Sequence, residues 1–298
     1  MSISKKNLLV CAVLFVTTAA IAQRSPSPAL NQSGLYEYTT LGAGHDSSAG
    51  WSSVMSSAVG YSFTPAVSIE AGIPFYLVTT TQALSTTGAT STTHAGSLGD
   101  VFLNLNAHKD SSAINYATGL TFTAPTGDTS TGVSTGRATA TWNNRLEHGF
   151  DHLTPFGEAS LGNSLTSTRR YRRDYTTLGA VSEFRGGVGI DLLKNLGLET
   201  SAFADVGYGN QKIFSRTVRK GALGVAGVPK HNRAFDTAYL TTGTASLVND
   251  NGLTADLSWN PTARLNFDLA YNHSLHFATD SVSAGIGFRL GHVAAKPR

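Results

Sequence analysis

The 298-residue chain has one cysteine, Cys11, and it lies in an N-terminal stretch that reads as an export signal. A mature chain without thiols has no disulfides and no cysteine-ligated metal, although export would permit disulfides. Charge is also scarce: Asp, Glu, Lys and Arg make up 14% of the chain, against roughly 25% in soluble domains. Hydrophobic residues stand at an ordinary 41%. Beyond the N-terminal stretch, no segment approaches the roughly 18 uninterrupted apolar residues of a spanning helix. What remains is a chain rich in Gly, Ser, Thr and Asn. Either disorder or an all-β protein has that composition, so periodicity must decide.

The N-terminal MSISKKNLLVCAVLFVTTAAIAQ places Lys5 and Lys6 before an apolar run from Leu8 to Ala20. Small residues Ala20 and Ala22 then occupy the −3 and −1 positions of a secretory cleavage site, so residues 1–22 are expected to be a signal peptide. The apolar run is shorter than the roughly 20 residues an anchor needs. Cys11 comes too early to be a lipid-modified cysteine. Discarding Lys5 and Lys6 takes the formal charge from +3 to +1, so the pI of 9.0 rests partly on a removed segment. No nucleic-acid partner is implied. Residues 23–33 read as a disordered leader, 34–290 as one domain and 291–298 as a tail.

Within that domain the pattern has a period of two. In INYATGLTFTA, residues 114–124, Ile114, Tyr116, Thr118, Leu120, Phe122 and Ala124 share one face, with Asn115, Ala117, Gly119, Thr121 and Thr123 on the other. VSIEAGIPFYL and VFLNLNAH repeat it, as do the stretches 182–192, 265–272 and 282–290. The predicted strands are 34–43, 51–63, 66–77, 99–108, 113–124, 137–148, 153–163, 178–192, 196–208, 252–260, 264–275 and 281–290, about twelve. A further candidate at 238–248 leaves fourteen open, and ten is the lower alternative. Short turns at Thr64-Pro65, Lys109–Ser112, Asp151-His152, Lys194-Asn195 and Asn260–Thr262 alternate with longer connections at 78–98, 125–136, 164–178 and 209–236. That is an up-and-down antiparallel sheet with one plain end and one decorated end.

A soluble sandwich shows the same alternation, but its wet face usually carries many Lys and Glu. Here that face is Gly, Ala, Ser, Thr and Asn with single charges, as in a barrel interior. Hydrocarbon tolerates no open sheet edge, so a spanning sheet closes on itself. Tyr61, Phe63, Phe75, Tyr208, Trp259 and Tyr271 near strand ends fit interfacial girdles. The expected fold is all-β, a transmembrane up-and-down antiparallel β-barrel in the bacterial outer membrane. Its expected surroundings are outer-membrane lipid and lipopolysaccharide, with the barrel-assembly machinery during insertion and a small-molecule permeant.

GSLGDVFLNLNAHK, YATGLTFTAPTGD and STGRATATWNNRLEHG together resemble the outer-membrane family called the MetA-pathway of phenol degradation family. The shared pattern is Gly99-Asp100 opening a strand, Pro125-Thr126-Gly127-Asp128 ending the next, and Gly136 leading a third. LSWNPTARLNFDLAYNHS and VSAGIGFRL look like that family's closing strands. The resemblance covers roughly 96–165 and 252–290 and is weak across 209–250. It implies a porin- or transporter-type barrel passing small molecules, apolar or aromatic compounds among them, without catalytic residue or cofactor. Such barrels commonly end in an aromatic residue, whereas this chain runs past Phe288 and Leu290 into GHVAAKPR.

Candidate lumen residues follow from the inward face: Glu70, Asn104, Asn106, Arg145, Glu147, Glu183, Arg185, Asp191, Glu199, Asp205, Asp256, Asp268 and Arg289. Either they pair across strands and stiffen the lumen, or they stay unpaired and set ion preference. A basic cluster, Arg169, Arg170, Arg172 and Arg173, falls on a long loop, where it attracts anions or is simply solvated. Pro125–Asp128 is read as turn chemistry ending a strand. His148 and His152 straddle a turn, and His273 and His276 fall on opposite faces, so no metal is expected. GALGVAG, 221–227, has the wrong neighbours for a phosphate loop. A plugged structural or adhesion barrel and a rim-site enzyme stand as alternatives to the channel.

Overall fold

The structure is a computed structural model and describes residues 33–46, 50–83, 90–127, 134, 136–163, 175–177, 179–215, 241–245, 248–276 and 278–291. The expected signal peptide, most of the leader, Asp128, the basic cluster at 169–173, the 221–227 segment and most of the tail lie outside these residues.

Alternating side chains need two different surroundings, and the strands find them by closing into a barrel. In chain order the strands are β1 (Gly34–Asp46), β2 (Gly50–Thr64), β3 (Val67–Ala83), β4 (Thr90–Leu98), β5 (Val101–Lys109) and β6 (Asn115–Ala124). Then come β7 (Thr139–Glu147), β8 (Leu153–Gly162), β9 (Tyr175–Thr177), β10 (Ala180–Leu193) and β11 (Leu196–Tyr208). The last are β12 (Gln211–Ser215), β13 (Thr241–Gly243), β14 (Asp250–Thr262), β15 (Leu265–Ser274) and β16 (Thr279–Gly291). Each barrel strand pairs antiparallel with its neighbours, and the β1–β16 ladder joins the first strand to the last. β4 and β5 share one position, pairing with the upper and lower parts of β3. The wall is therefore a closed antiparallel barrel of twelve strand positions, as expected.

Three expectations change. The connection placed at 78–98 is largely strand, because β3 continues to Ala83 and β4 runs back from Thr90. Thr and Ser dominate there, so the apolar alternation that marks the other strands is missing. Of the candidate at 238–248, the described strand β13 lies outside the barrel: it pairs with β12, and β12 with β9, in a separate three-stranded sheet. The turn placed at Asn260–Thr262 lies one step later, at 263–264, with a register shift between Trp259 and Thr262. Pro261 falls within that irregularity, where a missing N–H donor is tolerated. Asp151 makes the β7–β8 turn at a φ of 51°, a conformation that Asp adopts more readily than most residues.

The faces are sorted opposite to a soluble protein. Leu103, Leu105, Leu120, Phe122, Trp142, Phe184, Leu253, Leu269 and Val282 are exposed, and all point outward. The inward parity holds Thr40, Thr141, Ser201, Thr254, Ser258, Asn272, Ser281 and Ser283, all buried. Trp259 stacks on Phe267 at 5.2 Å and Tyr61 meets Phe63 edge-on at 5.3 Å, both pairs at the short-turn end. Polar groups on the outer face satisfy one another. The Tyr116 hydroxyl donates to Asn144 Oδ1 at 2.6 Å, Thr118 Oγ1 to the same oxygen at 3.1 Å, and Trp142 Nε1 to Thr118 Oγ1 at 2.9 Å.

The two halves of the sequence pattern around Gly99 and Pro125 meet in space. Where β4 gives way to β5, Asp100 Oδ1 accepts the Gly127 N–H at 3.0 Å and Thr126 Oγ1 accepts the Val101 N–H at 2.8 Å. The Gly99 N–H donates to the Pro74 carbonyl at 2.8 Å. These bonds replace the ladder that breaks between β4 and β5. A Cβ on Gly127 would lie 2.8 Å from the Leu98 carbonyl oxygen, so this contact requires glycine.

Leu120→Arg, at an outward position 38% exposed, is expected to cost about 2–4 kcal/mol near the bilayer midplane. Thr121→Arg, on the inward face, should cost much less. Denaturant unfolding in liposomes measures both, and equal costs would contradict the faces. Gly127→Val should destabilise by about 1–3 kcal/mol by the same measurement.

Candidate functional site

Thirteen residues were expected in the lumen, and all lie at inward-facing positions of their strands. They do not form one ring. Cross-strand register gathers most of them into two networks, mainly in the half of the barrel nearer the short turns.

The first network spans β7, β8, β10, β11 and β14. Arg145 stands directly across from Glu158, and Glu158 directly across from Arg185. Arg145 donates from Nε to Glu147 Oε2 at 2.9 Å and from Nη2 to Glu199 Oε2 at 3.0 Å. Arg185 donates from Nη2 to Glu199 Oε1 at 2.7 Å and Asp256 Oδ2 at 3.0 Å, and from Nε to Ser201 Oγ at 2.5 Å. Glu199 thus bridges the two guanidiniums, one oxygen to each. Glu158 Oε2 lies 3.6 Å and 3.7 Å from the two Nη1 atoms, close enough for ion pairing but not for hydrogen bonds. The Arg145 guanidinium also lies 3.8 Å over the Phe156 ring. Arg185 and Glu199 are each only 4% exposed. At that depth an unmatched charge would be prohibitive, so the network holds together because each guanidinium meets several carboxylates.

The second network spans β1, β3, β5, β15 and β16. Asn104 Nδ2 donates to Glu70 Oε1 at 2.7 Å, and the Tyr36 hydroxyl donates to Glu70 Oε2 at 3.3 Å. Asn266 Nδ2 donates to Asp268 Oδ2 at 2.5 Å, and the Tyr38 hydroxyl donates to Asn266 Oδ1 at 3.3 Å. The Arg289 guanidinium lies 5.4 Å and 5.6 Å from the Tyr36 and Tyr38 ring centres. The Tyr36 ring occupies the space that a side chain at Gly60 of β2 would need. The two networks draw on ten of the twelve strand positions, all but β2 and β6.

Four expected residues sit elsewhere. Glu183 lies opposite Asp205 toward the loop end, with Asp250 next across the sheet. Asn106 is half-buried beside the short-turn end, and Asp191 is exposed at that rim. Sequence reasoning missed Glu158, Tyr36, Tyr38, Phe156 and Asn266. Parity was the available signal for Glu158, which shares a face with Thr154 and Ser160. Pro155, Phe156 and Gly157 hide that signal by placing a large apolar ring on the inward side.

Two of the described histidines have these surroundings. His273 Nδ1 lies 2.8 Å from Asp280 Oδ1, which also accepts the Tyr271 hydroxyl at 2.6 Å. This group faces outward, whereas the adjacent Ser274 and Ser281 face inward. His148 contacts the Ala113 carbonyl oxygen and packs on Phe150 at 4.2 Å. Among the described residues no group of three or more His, Cys, Asp or Glu is placed to hold a metal.

No protein-family model matches the chain, and no curated protein matches it by sequence. Solved structures do. The COG4313 outer membrane channel from Pseudomonas putida F1 superposes with a TM-score of 0.52 at 7% identity, covering 90% of this chain and all of that one. The NanC porin gives 0.45 at 9% identity over 86% of this chain. The KdgM porin gives 0.43 at 9% identity over 87%. At such identities the first of these shows the fold: an outer-membrane-type β-barrel.

Arg185→Met is expected to cost about 3–5 kcal/mol, because it leaves buried carboxylates without their cation. Adding Glu199→Gln should restore part of that loss, giving a coupling of about 0.5–3 kcal/mol in a double-mutant cycle. Unfolding in detergent micelles provides the measurement, and strict additivity would show that the pair acts independently.

Proposed function

We propose that the protein is an outer-membrane channel through which small molecules diffuse passively. One observation carries the reading: a closed barrel with an apolar exterior lines its inner wall with charged and hydrogen-bonding groups. A wall of that kind suits an aqueous path, since ionised groups need water or each other. Twelve strand positions fall between small barrels that side chains fill and larger ones that hold open channels. The two networks then narrow the lumen, so the permeants are small. Tyr36, Tyr38 and Phe156 present rings to the inner wall. That supports flat or aromatic solutes among the permeants, in line with the MetA-pathway resemblance. The contact of Gly99-Asp100 with Thr126-Gly127 gives this pattern a structural reason and supports that kinship.

The burial of Arg145, Arg185 and Glu199 favours a second reading, a barrel plugged at this level that acts through its loops. Planar-bilayer recording of refolded protein separates the two. Discrete single-channel steps, with uptake of small solutes into proteoliposomes, are expected. Absence of both would leave the plugged barrel.

A further inference from the structure

We propose that the inner wall selects cations, small organic ammonium ions included, over anions of the same size. This rests on the channel reading and adds the permeant's charge. The two networks hold six carboxylates and three guanidiniums. Inward positions of the described barrel strands contain no lysine, and their only arginines are Arg145, Arg185 and Arg289. The acid surplus is therefore built from side chains fixed in the wall.

Geometry strengthens the imbalance. Arg145 and Arg185 direct their N–H groups into the carboxylates around them, and Arg145 lies face-on against Phe156. A passing anion would have to compete with Glu199, which already bridges both guanidiniums. A cation meets no such obstacle. Glu70 is held by neutral donors, the Asn104 amide and the Tyr36 hydroxyl, which leave its negative charge in place. Asp268 accepts from the Asn266 amide, and Arg289 is the guanidinium of this network, which therefore counts two carboxylates to one cation. Glu70 and Asp268 are half-buried, and the Tyr36 and Tyr38 rings lie near them. Arg289 already lies over both rings, and a passing ammonium ion would meet the two carboxylates beside them. Between low-dielectric walls, a surplus of fixed charge raises the local concentration of the opposite ion about tenfold or more.

The test is the reversal potential of the full-length refolded protein in a tenfold KCl gradient, with benzylamine and benzoate uptake into proteoliposomes alongside. Potassium should permeate several-fold better than chloride, and benzylammonium faster than benzoate. Glu70→Gln combined with Asp268→Asn should lower the potassium-to-chloride ratio at least twofold while conductance steps persist. A conducting wild-type protein with a ratio of one or below, or one that favours benzoate, would overturn the proposal and leave the channel intact. A wild-type protein that neither conducts nor takes up either probe would overturn the channel reading, and this one with it. The wild-type measurement alone decides if the double variant does not fold.

Discussion

A backbone that crosses hydrocarbon has no water to receive its N–H and C=O groups, and each one left unpaired costs several kcal/mol. The rest of this structure depends on that constraint. It is met by one continuous antiparallel ladder that runs around the wall and returns to its start through β1 and β16. Where the ladder falters between β4 and β5, side chains take over: Asp100 and Thr126 accept the backbone donors that strand pairing leaves free. The outer face follows the same rule, with Tyr116, Thr118, Trp142 and Asn144 bonded to one another.

Closure also creates the interior. Once the sheet meets itself, every second residue points to a confined space, and charges placed there must find partners across strands. Arg145, Glu158 and Arg185 do so in a row over three neighbouring strands. Glu199 ties the two arginines together from a fourth. Such a network contributes little net stability compared with apolar packing, but its members are strongly interdependent. Its value lies in fixing the position of charge.

The sequence made the architecture legible because a period of two survives in one dimension. Leu120 and Thr121 reveal opposite surroundings by adjacency alone. Strand boundaries were legible where apolar alternation met Pro, Asn or Asp, and obscure where Thr and Ser continued a strand, as in β3 beyond Leu77 and in β4. Inward charges were found by parity, but their partners were not, because strands such as β11 and β14 pair across an intervening stretch of 41 residues. Glu158 was lost for a different reason: Phe156 inverts the rule that large apolar side chains face out. Its ring serves as a platform for Arg145, a role that no local pattern announces.

Pairing of β1 with β16 also sets an order of events. Tyr36 lies opposite Gly291, and Tyr38 opposite Arg289, so the first strand finds its second partner only after nearly the whole chain has arrived. Until then both sheet edges are open, and the most distant contact in sequence is the one that completes the fold. Barrels of this connectivity fold slowly, because the loop-closure entropy must be overcome before the last ladder can compensate it. Arg289 travels on that final strand. Its approach to the two tyrosines is therefore among the last contacts to form, and the charge pattern of the inner wall is complete only when the barrel itself is.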